Sequence, residues 1–215
     1  MLSLLSLSGV SCLQREKCDP ILKRIELMRP GFIDYITYVR RILRQEIVLI
    51  QIPCKFITEE ICRVAVSREY SYELKFVPEE LKTEEICKLA VSNCGLDLEF
   101  VPQCLKTEEL CRISVIKVGG ALKYVPHQFK TYDLCKIAVS NQGTALDYVP
   151  KELKLYELCE LAVFNDGQSL RYVPDELRTE EICLSAISFN IFALRYVPEK
   201  MKKCESIINV ISYYD

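Results

Sequence analysis

An all-α fold, an α-solenoid of short helix-turn-helix repeats, is what this sequence predicts, and three observations carry the expectation. First, Val-Pro dipeptides recur with a fixed period: Pro78, Pro102, Pro126, Pro150, Pro174 and Pro198 are each 24 residues apart, with Ile52-Pro53 one residue out of step. Second, with Val77 as position 1 of its unit, the apolar positions are 10, 11, 13, 14 and 15 (Ile86, Cys87, Leu89, Ala90 and Val91). At the helical advance per residue they cover an arc of about 200°, leaving Glu84, Glu85, Lys88 and Ser92 in the gap, as in a helix packed on both sides. Third, each such run is punctuated at both ends. Thr58, Thr83, Thr107, Thr131 and Thr179 stand where an N-cap belongs and most precede acids, which suit the positive end of a helix. Gly95, Gly119, Gly143 and Gly167 follow the run, where a left-handed C-cap fits.

The rest of each unit follows from the same rules. The stretch G-x-A-L-x-Y (Gly143, Ala145, Leu146, Tyr148) reads as a second, shorter helix. It ends at the Val before Pro, because a residue preceding Pro avoids the helical region. Pro then opens a further tight turn, P-x-x-L, leading to the next Thr.

A leucine-rich repeat is the alternative fold, since positions 10, 13 and 15 mimic its L-x-x-L-x-L strand. Asn93, Asn141 and Asn165 lie one residue too early for the asparagine ladder of such repeats. Position 14 is small in every complete unit (Ala65, Ala90, Ser114, Ala138, Ala162, Ala186), which suits close helix approach better than a strand.

These features have a counterpart among known sequences. The pattern L-K-T-x-E-L-C-x-x-A-V-x-N-x-G-x-A-L-x-Y-V-P, matched here by Lys130, Thr131, Leu134, Ala138, Val139, Asn141, Gly143, Ala145, Leu146 and Tyr148, resembles a family of helical repeats of unknown function. Its repeats are about 24 or 25 residues long and occur in giant amoeba-infecting viruses and in intracellular bacteria such as Legionella; the Val-Pro and the core Cys are closer to the viral form. The resemblance spans residues 52–215 and implies an α-solenoid, with no catalytic residue to carry over.

The expected organisation is an N-terminal helical cap over 1–51, six tandem repeats of 24–25 residues over 52–196, and a truncated capping repeat over 197–215. Such caps cover the end faces that a stack leaves without a neighbour. Within the first segment, Asp19-Pro20 reads as the start of a helix through Met28, broken by Arg29-Pro30-Gly31. Residues 29–51 read as a degenerate repeat with a helix from about Ile33 to Arg44. The apolar stretch Met1–Cys12 raises a signal peptide but lacks a basic start and a small-residue cleavage site. No run reaches the roughly 18 apolar residues of a membrane span.

Composition then narrows the function classes. The chain has 215 residues, 50% hydrophobic and 27% charged, with 7 Gly and 9 Pro, which excludes disordered and collagen-like chains. A net charge of −2 offers no electrostatic reason to expect nucleic acid. There are 12 Cys, but most recur within apolar helical patterns rather than in loops, pointing to reduced thiols and a cytoplasmic location, in the host cytoplasm if the viral resemblance holds.

Several residue types recur as ladders along the units. Cys62, Cys87, Cys111, Cys135, Cys159 and Cys183 share position 11; stacked helices hold equivalent positions about 8–10 Å apart, too far for a disulfide, so they read as small core hydrophobes. No C-x-x-C pair supports a metal site. The six remaining cysteines, Cys12, Cys18, Cys54, Cys94, Cys104 and Cys204, are freer to be exposed. The single His, His127, occupies a surface position of its unit, so a Cys or Ser nucleophile lacks its usual base. Neither phosphate-binding glycine motif occurs, and no cofactor is implied. The position-6 cations (Lys82, Lys106, Lys130, Lys154, Arg178, Lys202) precede the position-9 acids by three residues and read as a solvated ion-pair stripe; their alternative is a track for a single-stranded RNA backbone. The position-24 aromatics (Phe100, Tyr124, Tyr148, Tyr172, Tyr196) fit the seam between units.

The reading that follows is a non-enzymatic scaffold binding a protein partner, a host protein under the viral resemblance, with RNA binding through position 6 as the alternative and an enzyme with an unrecognised site as a third. Residues that vary between units are free to encode a partner. Position 12, midway along the exposed side of the longer helix, predicts a contact strip of Lys88, Arg112, Lys136 and Glu160, with Leu184 as an exposed apolar point near its end. Drift on a solvated face is the competing account.

Overall fold

A computed structural model describes residues 32–68 and 72–214. The expected helix after Asp19-Pro20, the 29–31 break, the stretch 1–12 and the positions of Cys12 and Cys18 lie outside the described residues. The chain divides into two compact units, 1–65 and 66–215.

In the first unit, α1 spans Phe32–Leu43, matching the helix read from Ile33 to Arg44, and buries Val39 and Ile42. Short 3-10 turns follow at Leu49–Gln51 and Cys54–Phe56, with Tyr38 and Phe56 packing at a centroid distance of 5.4 Å. Helix α2, Glu59–Val66, opens at Thr58, whose hydroxyl accepts from the Ile61 amide, and its last residue falls in the second unit.

The second unit is a regular stack. Its long helices are α3 (Glu84–Asn93), α4 (Glu108–Lys117), α5 (Tyr132–Asn141), α6 (Tyr156–Asn165), α7 (Glu180–Phe189) and the terminal α8 (Glu205–Tyr214). Among the described residues there is no strand, which removes the leucine-rich alternative. The G-x-A-L-x-Y stretches form six-residue 3-10 helices, Gly95–Phe100, Gly119–Tyr124, Gly143–Tyr148, Gly167–Tyr172 and Ile191–Tyr196, rather than short α-helices. Each P-x-x-L is a three-residue 3-10 turn, as at Glu79–Leu81 and Lys151–Leu153. The Val before each Pro is extended, Val125 having φ −73 and ψ 129.

Long helices pack side by side, 3-10 helices pack side by side, and each long helix rests on the 3-10 helices of its own and the preceding unit. The core lies between these two layers. Positions 10, 11, 14 and 15 are buried there, as Leu134, Cys135, Ala138 and Val139 show, together with Leu146 from the 3-10 layer. Position 13 is only half-buried (Leu89, Ile113, Ile137, Leu161), so the buried face is narrower than the apolar pattern predicts.

The threonine caps form as read: Thr83, Thr107, Thr131 and Thr179 each accept a hydrogen bond from the backbone amide three residues on. In the unit starting at Val149 the cap position holds Leu155, which has no side-chain acceptor and is exposed.

The glycine reading requires correction. No Gly at position 19 ends a helix in the left-handed conformation; the C-cap is the extended residue before it, such as Gln142 at φ −153, and the Gly opens the 3-10 helix. Glycine is needed because the layers touch there. A Cβ on Gly95, Gly119, Gly143 or Gly167 would lie 2.6, 2.3, 2.4 or 2.4 Å from the position-14 carbonyl oxygen of the next unit. The small residue at position 14 and the Gly at position 19 therefore serve one close approach. Ser114 adds a hydrogen bond across it, its hydroxyl donating to the Gly95 carbonyl at 2.7 Å.

Candidate functional site

The ladders that drew attention in the sequence are mostly structural. At position 6, the Nζ atoms of Lys106, Lys130 and Lys154 donate to the carbonyls of Tyr124, Tyr148 and Tyr172 at 3.2, 3.0 and 3.1 Å, and Arg178 reaches the Tyr196 carbonyl. Each cation thus holds the end of its own unit's 3-10 helix, just before the Val-Pro break, where backbone carbonyls lack intrahelical donors. Burial holds the ammonium groups of Lys106, Lys130 and Lys154 below the usual lysine range. The solvated ion-pair stripe is corrected accordingly: the ladder is part-buried, and its ionic partners lie at position 3 rather than position 9, in Glu79–Lys82, Asp175–Arg178 and Glu199–Lys202. Four of the six ladder cations are thus engaged by carbonyls of their own units, and Lys82 and Lys202 by glutamates.

The position-24 rings are half-buried, and four adjoining position-23 cations lie over neighbouring aromatic faces: Lys75 over Phe76, Lys123 over Tyr124, Arg171 over Tyr172 and Arg195 over Tyr196, at 4.6, 5.2, 4.3 and 5.0 Å from the centroids.

The position-11 cysteines are all buried and free. Burial pushes the thiols of Cys62, Cys87, Cys111, Cys135, Cys159 and Cys183 up to about 11, so they stay protonated. Off the ladder, Cys54 and Cys104 are exposed and Cys204 partly so, but Cys94 is buried at the C-cap of α3, against the expectation of exposure. Among the described residues no group of three or more His, Cys, Asp or Glu is placed to hold a metal ion. His127 is exposed and lies 3.5 Å from Glu152.

The asparagines at position 17 were absent from the sequence reading as contacts. Asn93, Asn141 and Asn165 donate to carbonyls at the end of the preceding long helix, Val66, Val115 with Ile116, and Val139 with Ser140, at 3.0 to 3.2 Å. This is an asparagine ladder, but one that ties helix to helix. The partner lies about one repeat upstream, so only the recurrence of Asn after the last apolar position signals it.

The predicted strip lies on the outer face of the long helices. Lys88, Arg112, Lys136 and Glu160 are exposed, whereas Leu184 is half-buried rather than an exposed point. Each long helix packs against the next, as α7 does against α8. Lys88 reaches across one such pair, its Nζ lying 2.8 Å from Glu109 on α4, a pair that raises the lysine's affinity for its proton and lowers that of the glutamate. Two open grooves border the strip. One, of about 530 Å³, is lined by Arg112, Asp133, Lys136 and Ile137, and the next, of about 390 Å³, by Lys136, Glu157, Glu160, Leu161 and Phe164. The geometry offers charged, variable side chains above shallow apolar floors.

Two segments, 107–154 and 156–208, match the family described as Domain of unknown function (DUF4116). Each segment begins at or beside a helix cap and covers about two of the 24-residue units. The chain is therefore similar, over these segments, to a repeat family of unknown function. No curated protein and no solved structure matches.

Proposed function

We propose that this protein is a non-enzymatic scaffold that binds a protein partner along the outer face of its long helices. The observation that carries the reading is the contrast between layers. The buried positions repeat almost unchanged, while the exposed position 12 runs Lys88, Arg112, Lys136, Glu160 over two adjoining grooves. Repeat stacks recognise partners through such extended surfaces without catalytic groups. The protonated, buried thiol ladder supports a non-catalytic role and a compartment that keeps cysteines reduced, the cytoplasm. Among the described residues no helix is long and apolar enough to cross a membrane.

The test is capture of partners from a cell extract by the wild-type chain and by the Arg112→Glu/Lys136→Glu variant, with circular dichroism to check the fold. Loss of partners in the variant supports the strip, and an unchanged set removes it. Filter binding to mixed-sequence RNA at low salt completes the comparison; tight, steeply salt-dependent binding would replace this reading with the nucleic-acid one.

A further inference from the structure

The outer face changes chemistry along the stack. Helices α3, α4 and α5 each carry a cation at position 12, but α6 carries Glu160 and α7 carries Leu184. Within α6 and α7 the charged residues are Glu157, Glu160, Glu180 and Glu181, with no Lys or Arg. At the ends of these helices two aromatic residues break the repeat. Position 16 is Ser in four units (Ser67, Ser92, Ser140, Ser188), Ile116 in α4 and Phe164 in α6; position 17 is Asn in three units, Arg68 and Lys117 in two others, and Phe189 in α7, so only α6 and α7 place aromatic rings there. The two rings meet edge to face at 5.1 Å, yet remain 61% and 55% exposed.

Nothing in the stack requires this. Ser at position 16 serves three of the earlier units, and Asn at position 17 ties α3, α5 and α6 to the helix before each. The same helix α6 also has exposed Leu155 where a Thr cap belongs, a change that forgoes the capping hydrogen bond of the other units. On α6, Glu157, Glu160, Leu161 and Phe164 follow the spacing i, i+3, i+4, i+7, so they form one stripe along the floor and rim of the 390 Å³ groove. Tyr132 and Lys136 of α5 form one wall and Ser185 of α7 contributes to the other. Exposed aromatic pairs beside a groove mark interaction sites rather than ordinary surface.

We propose that the α6–α7 face is the docking site for a basic amphipathic helix of a partner protein, its apolar ridge seated on Leu161, Phe164 and Phe189 and its Lys or Arg side chains against Glu157 and Glu160. The inference rests on the protein-scaffold reading and narrows it to one face and one chemistry. Charge selects the occupant: in the groove the two glutamates Glu157 and Glu160 outnumber the one cation, Lys136, and complement a basic helix, whereas a second copy of this face would bring like charges together. The helix-in-groove mode also matches the straight stripe on α6.

The experiment uses the intact chain and a defined probe, a peptide of about 18 residues with Leu and Lys at amphipathic-helix spacing and one Trp. The protein has no Trp, so the peptide's fluorescence reports binding directly. A control peptide carries Glu in place of every Lys. The Leu/Lys peptide is expected to bind, and the Leu/Glu peptide at least about tenfold more weakly. Phe164→Ser with Phe189→Asn, which installs residues the other units carry, should lower affinity at least about tenfold without altering the helical spectrum. Glu157→Gln with Glu160→Gln should also weaken binding, most at low salt.

Absence of binding, equal binding of the two peptides, or indifference to the Phe pair overturns the proposal. Sedimentation of the wild-type chain as a dimer that dissociates on Phe164→Ser/Phe189→Asn also overturns it, assigning the face to a second copy. Arg112→Glu alone, at a strip residue that does not line the 390 Å³ groove, separates this inference from the strip: it should retain the basic peptide. Partner capture that depends on Arg112 and Lys136, with no peptide binding, sinks this inference alone; peptide binding with capture indifferent to the strip sinks the other.

Discussion

Replacing Asp97 with alanine installs what the chain itself carries at the equivalent positions Ala121, Ala145 and Ala193. Asp97 is fully buried in the 3-10 layer, and among the described residues neither of its carboxyl oxygens receives a hydrogen bond. Burial, and then the buried Glu73 carboxylate, push its acid up to about 7 from 3.8, with Lys75 opposing. Arg68 lies 3.7 Å from Glu73, and Tyr72 and Cys87 are electrostatic neighbours of Asp97. Because the folded state holds this proton more tightly than the unfolded chain does, the contribution is fully present below pH 4. It is lost as pH rises through 7. With those two values, linkage gives a loss of about 2.5 kcal/mol between pH 5 and pH 8. Urea unfolding followed by circular dichroism at pH 5, 6, 7 and 8 measures the effect. The stability of Asp97→Ala relative to wild type should climb by about 2.5 kcal/mol across the series, whatever the fixed cost of the lost packing. Parallel curves would refute the argument that a proton is held at Asp97.

Three further outcomes follow from the same coordinates. Gly143→Ala places a Cβ 2.4 Å from the Ala162 carbonyl and should cost about 1–3 kcal/mol in urea unfolding, whereas Gly120→Ala, which meets only the movable end of Gln142, should stay within about 0.5 kcal/mol. Leu155→Thr restores the missing cap of α6 and should raise stability by about 1 kcal/mol by the same measurement; no gain would mean that this helix start is held by other contacts. In thiol labelling of the native chain, Cys54 and Cys104 should react promptly, while the six position-11 cysteines react only on unfolding; fast modification of Cys111 or Cys135 would contradict their burial.

Much of the architecture was determined by the sequence alone, because the signals are local. A threonine three residues before the amide it caps, a Val held extended by the following Pro, and apolar residues at helical spacing act within a few residues of themselves, and a period of 24 then repeats them. The exposed placement of Lys88, Arg112, Lys136 and Glu160 followed from the same periodicity.

What only the tertiary structure decided are interactions between groups a whole unit apart. The partner of Lys130 is a carbonyl 18 residues away, and that of Asn165 a carbonyl 26 residues away. Composition makes those cations and amides look like surface. Gly143 reads as a helix stop until the Ala162 carbonyl is seen beneath it, and Leu184 reads as exposed although the fold half-buries it. Phe164 and Phe189 are two scattered departures in the sequence and one aromatic pair in space, as Glu73 and Asp97 are two acids in the chain and one buried cluster in the fold. A backbone carbonyl has no letter in a sequence, and a contact across units depends on where stacking brings it. The residues that hold this stack together, and those left over to meet a partner, are therefore separated only by the packing of one repeat on the next.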